Sequence, residues 1–171
     1  VNLKDISKAG FRIEANQTLA IKDESKVTIA GALRDGGINL IGATASYTKA
    51  KTATVNATVT ETGFEAKIGD AKYTTFNEAV AAAQDGAEVT IHKAGTYNVP
   101  SGKNLTITGA VDGVKFGPIA EPNLGMKNYT FNNVTFNYAN DSHYKGLQYA
   151  GEMEYNNCTF NGQVFLYGLS E

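Results

Sequence analysis

Between Tyr73 and Ala110 the apolar positions change their period. Phe76, Ala79, Val80 and Ala83 recur at i, i+3, i+4 and i+7, which is one face of an amphipathic helix. Thr75, followed three residues later by Glu78, has the capping-box pattern in which each side chain satisfies a backbone N–H at the helix start. The helix is predicted over about 75–85, with Gly86 after Gln84-Asp85 suited to the left-handed position that ends helices. Beyond it the period falls to two. Val89 and Ile91 alternate with Thr90 and His92, and Leu105 and Ile107 repeat the alternation, so two short strands are predicted. Gly95-Thr96-Tyr97 and Pro100-Ser101-Gly102 read as turns.

Further on, the pattern repeats. Phe131-Asn132-Asn133-Val134-Thr135-Phe136-Asn137 is matched 24 residues later by Tyr155-Asn156-Asn157-Cys158-Thr159-Phe160-Asn161. One coil of a parallel β-solenoid needs about that length to climb one strand spacing. In this register Val134 stacks under Cys158 and Phe136 under Phe160, while the paired asparagines meet at a bend and Thr135 and Thr159 face solvent. Phe64 to Asp70 reads as a strand and a turn leading into the helix, and Val111 to Asn123, with Gly113, Gly117, Pro118 and Pro122, as a loop. Val164 to Tyr167 is a further strand candidate, and no terminal cap is legible before Glu171. A longer solenoid, and self-association through its open C-terminal end, are therefore expected.

Residues 1–64 read as a separate β-rich module. Strand patterns fall at Phe11–Glu14, Thr18–Ile21, Lys26–Ile29 and Ile38–Ile41, with a polar Ser46–Lys51 and a long strand-like run over Thr52–Thr60. Solenoid-like rungs and a small sandwich both fit. The helix places a boundary at about residue 65, since its apolar face suits the lid of a coil.

The helix over Phe76 to Gln84, the Asp85-Gly86 turn, the strand over Val89 to Ile91 and the Gly95-Thr96-Tyr97 turn resemble the opening of right-handed parallel β-helices of the pectin-lyase-like superfamily. The same pattern is similar to β-helix repeats in large surface proteins of gut bacteria. This resemblance covers roughly 68–168. It implies a mainly β fold, a right-handed parallel β-helix with an N-terminal capping helix, and an extracellular location, secreted or on a bacterial surface.

The resemblance also raises enzyme chemistry, because many such proteins are polysaccharide lyases or glycoside hydrolases. Hydrolases need paired carboxylates about one groove. The closest acidic pair on a predicted rung is Glu152 and Glu154, which share a strand face. The family's Asn-Thr-Asp, Asp-Asp and Gly-His-Gly signatures do not occur. Lyases need an acidic calcium cluster and a basic residue, yet the two arginines, Arg12 and Arg34, precede the repeat region. A catalytic role is not expected, and no cofactor or metal is implied; the alternative is the remnant of a polysaccharide-degrading enzyme.

The 171 residues carry a formal charge of only −2 with both signs interspersed, which offers no basic patch for nucleic acid. No apolar window of membrane-spanning length occurs, so membrane insertion is not expected. Val1 is not a natural start, and removed flanking segments are expected. Cys158 is the single cysteine, which excludes an internal disulfide, and it reads as a small buried hydrophobe. His92 is expected to face solvent. Seven Asn-x-Ser/Thr triplets are explained by Asn at bends followed by Thr in strands. One stretch carries candidate binding chemistry: Tyr138, Asn140, Asp141, His143, Tyr144 and Tyr149 could stack on sugar faces and hold hydroxyls. Packing of these tyrosines against the coil is the competing account. The reading is a non-catalytic surface segment for adhesion, display or glycan binding, with host or dietary glycans or a surface protein as partner. A purely structural spacer is a further alternative.

Overall fold

The computed structural model describes residues 10–28, 37–119, 123–138, 147 and 150–162. Among these residues the chain is mainly β, with one short helix, and forms a parallel β-solenoid. The chain divides into two compact units, Val1–Phe64 and Glu65–Glu171.

In the first unit, β1 (Phe11–Ile13), β2 (Thr18–Ile21) and β3 (Lys26–Thr28) form one coil. β4 (Ile38–Ile41), β5 (Ser46–Lys49) and β6 (Thr54–Asn56) form the next, and β7 (Val59–Thr62) continues the β1–β4 sheet. Every strand pair is parallel. These are rungs, not a sandwich. The polar Ser46–Lys49 stretch is a strand because Thr18 pairs with Ser46, their hydroxyls 2.7 Å apart and 28 positions apart in sequence. The Thr52–Thr60 run is broken after Asn56, since the coil must turn a corner before β7 pairs with β4. Ile13, Ile38, Leu40 and Ala45 fill this coil, flanked by Phe11, Leu19 and Tyr47.

In the second unit, β8 (Ala66–Ile68) and β9 (Ala71–Tyr73) form an antiparallel hairpin, followed by α1 (Phe76–Ala82). The rungs are then built by β10 (Ala87–Ile91), β11 (Gly95–Tyr97), β12 (Leu105–Gly109), β13 (Val114–Ile119), β14 (Tyr129–Asn132), β15 (Thr135–Tyr138), β16 (Met153–Asn156) and β17 (Thr159–Asn161). One sheet has the order β16-β14-β12-β10-β8-β9 and the other β11-β13-β15-β17. All rung-to-rung pairs are parallel, and the antiparallel β8 covers the open edge of β10. That hairpin blunts an edge that could otherwise pair with another chain.

The capping box at Thr75 and Glu78 is formed in both directions. Phe76, Ala79 and Ala83 are buried, and the Phe76 ring meets Tyr97 and Phe116 edge-on at centroid distances of 5.4 and 5.9 Å. The helix is shorter than its periodicity predicts, because Ala83 has already turned to an extended backbone. Gly86 keeps a positive φ of 83° but serves the turn into β10, where its N–H donates to Asn104 O.

Two predicted non-strand segments are strands. Gly95–Tyr97 pairs with Val114–Phe116. The Val111–Asn123 stretch contains β13, which accommodates Gly117 and Pro118 at an irregularity between Phe116 and Ile119 in its pairing with β15. Parallel pairing with the rungs on either side outweighs the local turn signals. The 24-residue register holds: Phe136 pairs with Phe160 and Asn132 with Asn156. The interior is an aromatic stack, with Phe136 lying 5.7 Å from Phe116 and 5.3 Å from Phe160, both stacked, and Phe131 meeting Phe136 edge-on at 5.0 Å. The predicted strand at Val164–Tyr167 and the end near Glu171 lie outside the described residues.

Candidate functional site

Strand alternation puts every second residue of β10, β12, β14 and β16 on the outside, and the parallel register aligns these residues into rows. One row is Glu88, Thr106, Thr130 and Glu154, and the next is Thr90, Thr108, Asn132 and Asn156. Hydrogen bonds tie the rows together. Thr108 Oγ1 donates to Glu88 Oε1 at 3.0 Å, Asn132 Nδ2 to Thr108 Oγ1 at 3.0 Å, and Asn156 Nδ2 to both Asn132 Oδ1 and Glu154 Oε1 at 3.0 Å. The outer face is thus an ordered array of hydroxyl, amide and carboxylate groups.

At the corner leading into this sheet the side chains form a ladder. The Asp85 carboxylate accepts from the Asn104 N–H and from Asn104 Nδ2, both at 2.7 Å. Asn104 Oδ1 accepts the Asn128 N–H at 2.8 Å, and Asn128 Oδ1 accepts the Glu152 N–H at 2.8 Å. The Asn104 N–H and side chain hold the Asp85 carboxyl below its ordinary range. Between ladder and rows lies an open groove of about 360 Å³, lined by Asn104, Thr106, Asn128, Thr130, Glu152 and Glu154 among others.

Glu152 and Glu154 both line this groove and are exposed, as their alternation suggests. Glu154 accepts from Thr130 and Asn156. Of the sequence candidates, Tyr138 is buried, only 6% exposed, so its ring offers no stacking face to a sugar; it pairs with Ile119 within the core. Burial pushes its phenol pKa up. Asn140, Asp141, His143, Tyr144 and Tyr149 lie outside the described residues. His92 is half-buried, its Nε2 2.9 Å from Thr90 Oγ1. Cys158 packs against the core, its Sγ donating to Phe131 O at 3.3 Å, and burial raises its thiol pKa, as befits an inert thiol.

Of the groove residues, sequence reasoning singled out the Glu152 and Glu154 pair but not Thr106, Thr130 or the asparagine ladder, although a signal exists. Asn104-Leu105-Thr106-Ile107-Thr108, Asn128-Tyr129-Thr130-Phe131-Asn132 and Glu152-Met153-Glu154-Tyr155-Asn156 align at the same offset as the aromatic repeat. Reading the polar positions of that alignment, and not only the apolar ones, locates the row. Among the described residues no group of three or more His, Cys, Asp or Glu side chains could hold a metal ion, and no helix is long and apolar enough to cross a membrane. Comparison with protein-family models, with curated proteins and with solved structures finds no match to this chain.

Proposed function

We propose that this chain is a non-catalytic segment of an extracellular bacterial surface protein, akin to pectin-lyase-like β-helices, that presents a rigid face for adhesion to carbohydrate. One observation carries the reading: the outward rows of the β10–β16 sheet place hydroxyl and amide side chains in register on successive rungs and lock them by hydrogen bonds. Such groups donate and accept at once, which is what sugar hydroxyls require. Because the rows are held by the parallel backbone ladder, little side-chain freedom is lost when a ligand docks. The parallel solenoid also suits display, since each rung adds length without a new core.

The test is to incubate the purified chain with a panel of soluble and insoluble polysaccharides. Retention on polysaccharide without release of reducing ends or unsaturated products is expected. Release of either product would replace this reading with the degrading-enzyme one, and failure to bind any glycan would leave a spacer.

A further inference from the structure

The groove beside the Asp85–Asn104–Asn128 ladder holds polar groups that the fold itself does not use. Thr106 Oγ1 makes no side-chain hydrogen bond among the described residues, and neither does the Glu152 carboxylate. Asn128, a lining residue, commits its Oδ1 to the Glu152 N–H, while its side-chain N–H groups make no hydrogen bond among the described residues. Thr130 has only a 3.4 Å contact with Glu154. A donor amide, two hydroxyls and acceptor carboxylates therefore line one open trough.

Their spacing selects the shape of the ligand. Thr106, Thr130 and Glu154 occupy the same register position on three consecutive rungs, so they recur at about 4.8 Å. A ligand that satisfies them must offer polar groups at that interval along the solenoid axis. An extended sugar chain does, since its units repeat at a similar distance.

Their charge selects its chemistry. Glu152 and Glu154 stand at one end of the groove, Glu88 is in register below Thr106, and Asp85 lies beneath Asn104. Lys127 is close enough to Asp85 to act on its charge, but among the described residues no lysine or arginine lines the groove. Lys103, whose charge also acts on Asp85, donates to the carbonyls of Val80 and Ala81 in α1 and of Ala83 just after it. The local field therefore repels carboxylated, sulfated or phosphorylated chains.

We infer that this groove is a subsite for a neutral, extended oligosaccharide lying along the solenoid axis with one sugar unit per rung. The inference rests on the carbohydrate-binding reading above and adds to it a location and a ligand class. It is tested by titrating the intact chain with neutral β-linked glucan and xylan oligosaccharides and, in parallel, with uronate oligomers. The wild-type chain is expected to bind the neutral oligomers and not the uronates. Thr106→Val together with Thr130→Val removes both hydroxyls while keeping β-branched side chains, and is expected to weaken neutral binding about tenfold or more. Circular dichroism and melting temperature check that this variant folds. Glu152→Gln is expected to weaken the discrimination against uronates. Preference of the wild-type chain for uronates overturns the inference. Neutral binding that the double variant leaves unchanged removes the groove but keeps the carbohydrate-binding function, whereas absence of binding to every glycan removes both.

Discussion

The Lys103 ammonium lies 2.8 Å from the carbonyl oxygen of Ala83 and makes equally close contacts to Val80 O and Ala81 O, at 2.8 and 2.9 Å. A helix leaves its last carbonyls without intrahelical partners, and a glycine-based turn commonly satisfies them. Here one lysine from the loop before β12 uses all three of its donors for that purpose, and its charge also complements the negative end of the helix dipole.

Lys103→Met should therefore loosen α1 from the coil and cost about 1–3 kcal/mol of unfolding free energy. Lys103→Arg should not restore it, because a planar guanidinium cannot direct three donors from one nitrogen. Denaturant unfolding, together with hydrogen exchange of the Ala83 amide that bonds Ala79 O, measures the effect. Wild-type stability in Lys103→Met would show that water caps this helix equally well.

This lysine also marks the limit of what the sequence discloses. The N-terminal cap was legible because Thr75 and Glu78 are close in sequence and act on their own turn. The C-terminal cap comes from a residue 20 positions further on, which only the coil geometry brings near. The same reasoning separates β15 from β13: the aromatic repeat exposed the first, while the glycine and proline of β13 concealed it until its parallel neighbours were known. The outer rows were missed for a different cause. A polar side chain on a strand reads as solvated surface unless its partners on other rungs are known, and only the alignment of rungs makes Thr106 and Thr130 neighbours.

Asn133 and Asn157 both adopt left-handed backbones, with φ of 56° and 53°, and Asn157 Nδ2 donates to Asn133 Oδ1 at 2.9 Å. Asparagine tolerates this conformation where alanine pays about 1 kcal/mol or more. Asn133→Ala should lose that tolerance and the ladder bond together, for about 2 kcal/mol in total. Asn133→Gly keeps the backbone angle and loses the bond, so it should cost less. Equal losses for both substitutions in chemical denaturation would refute the backbone contribution.

Tyr129 is 2% exposed, and among the described residues its hydroxyl meets no partner at full hydrogen-bond geometry, although the Lys103 backbone N–H is near enough to act on the phenol. Its ring stacks on Phe131 at 5.8 Å, a contact that phenylalanine reproduces. Tyr129→Phe should leave stability unchanged or raise it by about 1 kcal/mol, since an unsatisfied buried hydroxyl carries a desolvation penalty. The contrasting Phe131→Ala, at a fully buried position, should cost about 3–5 kcal/mol. A clear loss in Tyr129→Phe would reveal a partner for the hydroxyl in solution.

Two carboxylates set how the cap responds to acid. Burial works to raise the Glu65 pKa, but the Lys93 ammonium at 3.0 Å and the Phe76 N–H at 3.1 Å outweigh it, and the net shift is downward from 4.5. Asp85 is lowered from 3.8, first by the Asn104 N–H and then by the Asn104 side chain. A folded pKa below the unfolded one gives stability that is complete above the unfolded value and is lost as pH falls through the folded value. The melting temperature should therefore change little on their account from neutral pH down to about 5, then decline below about 4. Asp85→Asn replaces one acceptor oxygen by a donor facing Asn104 Nδ2, so it should lower the melting temperature at neutral pH and flatten the acid decline. Parallel acid profiles for Asp85→Asn and the wild-type chain would show that this carboxylate does not govern the transition.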